Sequence, residues 1–230
     1  MLIDKVGMAF PLNTPPSLVI FDCDGVLVDT EPVANRLLVR LFAEDGFVIP
    51  YEESRRLFLG KSLESVKAHV EAELGRPLRD DWLDYVRDET VKAFAEGVEA
   101  IPRVRDVLTG LRERDIPYCV ASSGNFEKMN FTLGSSGLLP LVEDLLFSAR
   151  QVAHGKPAPD LFLLAARTMG HAPSSCVVIE DSVPGVQAAI AAGMQALGYA
   201  GDPHTDADGL KREGAHVFHD MDALIGLLGL

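Results

Sequence analysis

Four short runs rich in Val, Ile and Leu punctuate this chain: Leu18 to Phe21, Tyr118 to Ala121, Leu145 to Ser148 and Cys176 to Ile179. A strand with one wet face alternates apolar with polar, whereas a run that stays apolar almost throughout belongs to a strand covered on both faces. Ala196 to Tyr199 is a weaker fifth run. Helical patterns lie between the runs, so the expected fold class is α/β, a doubly wound, Rossmann-like parallel sheet. The first two runs stand about ninety residues apart, too far for one crossover helix or a structureless loop. Val33, Leu37, Leu38, Leu41 and Phe42 recur at helical spacing, as do Trp82, Tyr85, Val86 and Glu89 through Phe94. The interval is therefore read as an inserted α-helical domain over residues 32–98, with residues 17–31 and 99–230 forming the α/β core.

The charge balance limits the partners. A formal net charge of −13 and no run of Lys or Arg leave no footprint for nucleic acid. A small anionic substrate would need local cations against that field. Cys23, Cys119 and Cys176 each sit in an apolar run with no Cys-x-x-Cys pair, which fits reduced core thiols. The opening stretch is broken by Asp4 and Lys5 and lacks the apolar core of a signal peptide. The Ala- and Gly-rich stretch near residue 195 is too short to span a bilayer. A cytoplasmic protein with no membrane attachment, a monomer or weak dimer, is expected.

Chemistry concentrates where the runs end, because ligands of open α/β sheets bind outside the carboxyl ends of the strands. The first run ends in Asp22-Cys23-Asp24-Gly25, and a strand period of two puts Asp22 and Asp24 on one side with Cys23 on the other. Taken alone, such Asp residues are as readily turn or helix-cap residues. Val33 stands where a calcium loop beginning at Asp22 would need its Glu, so an EF-hand is excluded. The second run ends in Ser122-Ser123-Gly124-Asn125, whose hydroxyls and backbone N–H groups suit a phosphate or a plain helix cap. Before the fourth run, Lys156 stands between Gly155 and Pro157-Ala158-Pro159. Arg150 and Pro157 exclude a Walker loop, leaving a held point charge that could neutralise both a phosphate and Asp22. The fourth run ends in Glu180-Asp181, an adjacent acidic pair that is costly near other carboxylates unless a cation joins them, Mg²⁺ first.

Together, DCDGVLVD, VASSG, GKPAPD and VIEDS resemble the four ordered motifs of the haloacid dehalogenase superfamily, with a helical cap after the first motif as in the subgroup related to β-phosphoglucomutase. The likeness runs from about Leu18 to His219. It implies that Asp22 is the nucleophile, that Asp24 is the acid/base, and that Ser122 and Lys156 hold phosphoryl oxygens. It also implies Mg²⁺ on Asp22, the Asp24 carbonyl and Asp181, with Glu180 nearby or joined through water. The substrate would be a small phosphorylated metabolite, and Ser123, Gly124, Asn125 with Lys128-Met129, and Gly201-Asp202-Pro203-His204, resemble sugar-phosphate phosphatases acting on 6-phosphogluconate. Phe58-Leu59-Gly60-Lys61-Ser62 resembles the cap segment that enters such sites, which brings Lys61 in as a substrate-binding candidate. A phosphomutase shares the core, but Ala34 stands where the β-phosphoglucomutases carry a cap-side His, which argues for hydrolysis. A non-catalytic phosphometabolite-binding protein is the other alternative, and the intact Asp22, Asp24 and Lys156 argue against it. His216 and His219 flank Val217-Phe218, a pattern that fits a final strand better than a metal site.

Overall fold

The computed structural model describes residues 16–58 and 61–230. In chain order the first elements are β1 (Leu18–Phe21), β2 (Val28–Asp29), α1 (Glu31–Glu44), α2 (Tyr51–Phe58), α3 (Leu63–Leu74) and α4 (Trp82–Ala95). There follow β3 (Glu99–Ala100), α5 (Val104–Glu113), β4 (Tyr118–Ser122), α6 (Phe126–Ser135), α7 (Leu139–Val142) and β5 (Leu146–Ser148). The chain closes with α8 (Asp160–Met169), β6 (Cys176–Glu180), α9 (Val183–Ala191), β7 (Gln195–Tyr199), α10 (Ala207–Arg212), β8 (His216–Phe218) and α11 (Met221–Leu228).

Six strands pair in the order β5-β4-β1-β6-β7-β8, and every pairing is parallel. The sequence runs are continuous because both faces are covered. Val19 and Phe21 enter one cluster with Val107, Leu108, Leu111, Leu133 and Leu224, whereas Leu18 and Ile20 enter another with Leu161, Phe162, Val186 and Leu210. Alternate residues of β1 thus meet helices on opposite sides of the sheet, and neither set reaches water. Cys23, Cys119 and Cys176 are free and buried. No helix among the described residues is long and apolar enough to cross a membrane.

Helices α1 to α4 bury a cluster of their own. Phe42 stacks on Trp82 with ring centroids 6.3 Å apart and meets Phe58 edge-on at 5.3 Å, and Leu37, Leu41, Val66 and Val70 fill the space around them. Each such buried side chain contributes roughly 1.5–3 kcal/mol, enough in sum to hold four short helices together. Trp82 keeps its Nε1–H satisfied on Asp45 Oδ2 at 3.2 Å.

The helical segment is joined to the sheet by a feature that the apolar pattern does not signal. β2 and β3 form an antiparallel pair, Val28 opposite Ala100 and Asp29 opposite Glu99, which brings the two ends of the segment together. Two residues per strand are too few to register as alternation, which is why this ribbon is absent from the sequence expectations. β8, by contrast, lies where the spacing of His216 and His219 around Val217-Phe218 places a final strand.

Candidate active site

The carboxyl ends of β1, β4 and β6, the middle of the sheet, meet at one cavity of about 680 Å³. Asp22, Asp24, Ser122, Lys156, Glu180 and Asp181, drawn from four separate stretches of chain, all line it.

Asp22 follows β1 directly and is anchored by its N–H, which donates to the Ile179 carbonyl at 2.9 Å. Its Oδ1 accepts from Lys156 Nζ at 2.5 Å. Lys156 uses all three of its donors: Asp22, Glu180 Oε1 at 2.7 Å and the Ala121 carbonyl at 3.1 Å. An ammonium fixed in this way is a point charge with one address. Burial pushes the Asp22 carboxyl up to about 7, with Lys156 pulling against it and Glu180 and Asp24 adding to the rise. Burial works against the charged form of Lys156, yet the Asp22 and Glu180 carboxylates hold its ammonium above the ordinary lysine value.

The acidic pair at the end of β6 divides its work. Glu180 points back into the protein, where Oε1 accepts from Lys156 and Oε2 accepts from the Ser182 N–H at 2.7 Å and hydroxyl at 2.9 Å. A Cβ at Gly185, in the first turn of α9, would overlap the Glu180 carboxylate, so only glycine lets the helix sit this close. Asp181 faces the cavity and makes no side-chain hydrogen bond among the described residues. Burial, then Glu180 and Asp22, raises its carboxyl well above the usual carboxylate range. Gly25 has φ +80, a conformation open to glycine, and a Cβ there would strike Asp181 Oδ2. The turn that carries Asp22 and Asp24 is thereby seated against Asp181.

Asp24 reaches the cavity through this turn instead of through a continued strand pleat, since β1 ends at Phe21, while Cys23 packs into the core. Its Oδ2 accepts from Lys128 Nζ at 2.8 Å, and its Oδ1 is buried without a protein partner among the described residues. Lys128 belongs to α6, whose first turn is capped by Asn125 Oδ1 accepting from the Lys128 N–H at 2.8 Å. It lies 104 positions from Asp24. No local pattern could mark it as the partner of Asp24; the sequence signals are its place in the first turn of a helix that starts at the sheet edge and its membership of the Asn125, Lys128-Met129 stretch that resembles sugar-phosphate phosphatases. Ser122 ends β4, and its Oγ accepts from the Gly124 N–H at 3.0 Å, which leaves the hydroxyl proton to donate.

The remaining candidates separate. Ser123 lines the cavity, whereas Gly124 and Asn125 line a neighbouring one. Lys61 is exposed and lines neither, and Leu59 and Gly60 of its loop lie outside the described residues, as does the stretch up to residue 15. An element absent from the sequence analysis is Arg55 of α2, which pairs with Asp202 in the loop after β7 and ties the helical segment to the sheet edge. His219 Nδ1 is taken up by the Ala200 carbonyl at 2.9 Å.

Two lysines, Lys156 buried and Lys128 partly exposed, face at least four carboxylates here, so the site carries surplus negative charge that a divalent cation would neutralise. No group of three or more His, Cys, Asp or Glu side chains among the described residues is arranged to hold a metal ion. Mg²⁺ is commonly held by one or two carboxylates and keeps water or substrate oxygens for the rest of its shell. The free Asp181 carboxylate and the glycine cradle at Gly25 fit such an ion.

This geometry is a carboxylate at the end of a central strand, braced by a buried lysine with a second acidic strand end beside it, in a cavity at the carboxyl edge of a parallel sheet. The profile of haloacid dehalogenase-like hydrolases matches residues 16–193, and the chain belongs to that family. It is 35% identical to the 6-phosphogluconate phosphatase of Escherichia coli (strain K12) over 81% of this chain and 83% of that protein. Hexitol phosphatase A of the same organism is 32% identical over 77% of this chain and 80% of its own length. The crystal structure of a HAD family hydrolase from Deinococcus radiodurans R1, with bound phosphate and sodium, superposes with a TM-score of 0.83 at 32% identity, covering 94% of this chain and 96% of that one.

Proposed function

We propose that this chain is a Mg²⁺-dependent phosphomonoesterase that moves the phosphoryl group of a small phosphorylated metabolite, a sugar phosphate, first to Asp22 and then to water. The supporting observation is the Lys156 ammonium held between Asp22 and Glu180, which places a fixed positive charge on the nucleophile exactly where a dianionic ester must approach it.

Asp22 attacks phosphorus while the P–O bond to the alcohol breaks, and Asp24 gives its proton to the departing oxygen. Asp24 then takes a proton from water as that water attacks the aspartyl-phosphate, which releases inorganic phosphate and restores Asp22. The Ser122 hydroxyl donates to an equatorial phosphoryl oxygen, and the Lys156 ammonium, its three donors engaged by the protein, acts on these oxygens through its charge as the group moves. Asp22, the Asp24 backbone carbonyl and Asp181 would hold Mg²⁺, whose chemistry here is to neutralise phosphate charge facing the nucleophile. Glu180 serves as a positioning residue for Lys156, since both its oxygens are engaged.

In this reading residues 32–98 are a cap on the core of residues 17–31 and 99–230, hinged at the β2–β3 ribbon, which closes to exclude water and to read the leaving group. Hydrolysis is preferred to phosphoryl transfer between sugar hydroxyls because Ala34 offers no proton carrier where a mutase needs one. The test is release of phosphate from p-nitrophenyl phosphate and from 6-phosphogluconate with Mg²⁺. Activity is expected to disappear with EDTA and return with added Mg²⁺, and undiminished turnover in EDTA would refute the metal dependence.

A further inference from the structure

Arg55 of α2 crosses from the helical segment to the core, where its Nη2 donates to Asp202 Oδ2 in the loop after β7. Both ends of this tie are firmly seated. One turn on, Phe58 packs edge-on against Phe42 in the apolar cluster of α1 to α4, so Arg55 moves with that cluster. At the other end the Ala200 N–H donates to the Phe218 carbonyl at 2.8 Å, and Asp202 Oδ1 accepts from the His204 N–H at 2.8 Å. Asp202, Pro203, His204 and Thr205 wall the active-site cavity, so the tie fastens the helical segment to one side of the site.

The surroundings make the tie strong in charge and weak in hydrogen bonds. Asp29, where β2 ends, and Glu31, which opens α1, stand at the root of the helical segment and line the cavity together with Asp202. Burial raises both carboxyls above the ordinary value, and among the charges that pull them back down Arg55 comes first. The Arg55 side chain is 12% exposed, and the Tyr51 ring centre lies 5.8 Å from its guanidinium carbon. Its Nε is buried with no hydrogen-bond partner among the described residues. Docking α2 therefore takes water from Nε and gives it no acceptor in return, a cost set against the attraction of three carboxylates. A contact balanced in this way can form and release. His204 Nε2 and Glu52 Oε2 approach to 3.8 Å across the same seam, which puts a second side-chain contact beside the first.

We propose that Arg55 is a positioning residue for the hydrolysis: through Asp202 it holds the helical segment shut over the cavity, and so sets the fraction of the enzyme that is competent to bind substrate. The inference rests on the phosphatase reading and on residues 32–98 acting as a cap. Asp22, Asp24, Ser122, Lys156 and Asp181 all belong to the core, so their geometry does not depend on Arg55. Weakening the tie lowers the closed population, which reduces the apparent affinity by that fraction and leaves the chemical step of the closed complex as it was.

Arg55→Gln and Asp202→Asn are each expected to raise KM for p-nitrophenyl phosphate by about tenfold, the scale of one charge-assisted hydrogen bond, with kcat within about twofold of the wild type. The double variant is expected to raise KM no further than either single change, because both remove the same contact. Asp202→Asn also carries the test should Arg55→Gln fail to fold. Hydrogen exchange of Arg55→Gln without substrate follows the tie independently of turnover, and exchange faster than in the wild type is expected in residues 200–206, on the far side of the contact. That result in a chain that turns over no ester would overturn the phosphatase assignment and support the tie. A KM unmoved by both substitutions, a loss confined to kcat, additive effects in the double variant, or unchanged exchange would overturn the proposal.

Discussion

Lys156→Met tests the electrostatic frame of the site. The substitution keeps most of the side-chain volume and removes the ammonium that three acceptors share. Two buried carboxylates, Asp22 and Glu180, are then left without their common cation. Breaking a buried ion pair by deleting one partner costs about 3–5 kcal/mol. For a chain of 230 residues that corresponds to a fall in Tm of roughly 6–20 °C. The loss is expected to depend on pH with a definite sign. In the metal-free wild type the Asp22 carboxyl is raised from 3.8 to about 7, so its contribution to stability is fully present below pH 4 and is lost as pH rises through 7. Lys156 is what limits that rise, so its removal carries the folded-state value of Asp22 higher still. At pH 5 Asp22 is protonated in both proteins and only the Glu180 contact with the ammonium is lost, so the drop is smaller, whereas at pH 8 both carboxylates lose their cation and the variant carries the full penalty. Thermal unfolding in EDTA at the two pH values measures this. A drop of the same size at both, or one below about 3 °C at pH 8, would refute the argument that Lys156 compensates buried carboxylates.

Gly25→Ala places a Cβ against Asp181 Oδ2 and forces a left-handed φ on alanine, which costs about 1–2 kcal/mol of stability. Its Mg²⁺ requirement, read as the concentration giving half-maximal activity, is expected to rise at least about tenfold, the range seen when metal-site supports are altered. An unchanged requirement would show that Asp181 does not hold the ion. Lys128→Met releases Asp24 from its partner at 2.8 Å. The expected effect is a fall in kcat of roughly 10–100-fold, a fraction of what general acid–base catalysis supplies, with a smaller change in KM for p-nitrophenyl phosphate. Loss confined to KM would place Lys128 in binding alone.

The sheet was legible because burial on both faces leaves an unmistakable pattern: Leu18 and Ile20 face one helical layer while Val19 and Phe21 face the other, so no position is free to be polar. The β2–β3 ribbon was not, since two residues carry no periodicity. In the site, the meeting of Asp22 with Lys156 followed from placing both at one sheet edge, where topology does the work that local sequence cannot. The acidic pair was harder. Neighbours at a strand end point to opposite sides, and the choice between Glu180 and Asp181 was made by Ser182 and Gly185, which form a pocket for the first and leave the second to the cavity. Lys128 was noticed only within a stretch resembling sugar-phosphate phosphatases, and its pairing with Asp24 was beyond reach because it depends on where α6 docks; Arg55 was missed because its partner Asp202 lies 147 positions away.

The most direct measurement is mass mapping of peptides from enzyme quenched in acid during turnover of a phosphate ester. A single phosphoryl group is expected on the peptide containing Asp22, absent from Asp22→Asn, which is also expected to be inactive. Phosphoryl on any other residue, or turnover by Asp22→Asn within tenfold of the wild type, would contradict the account.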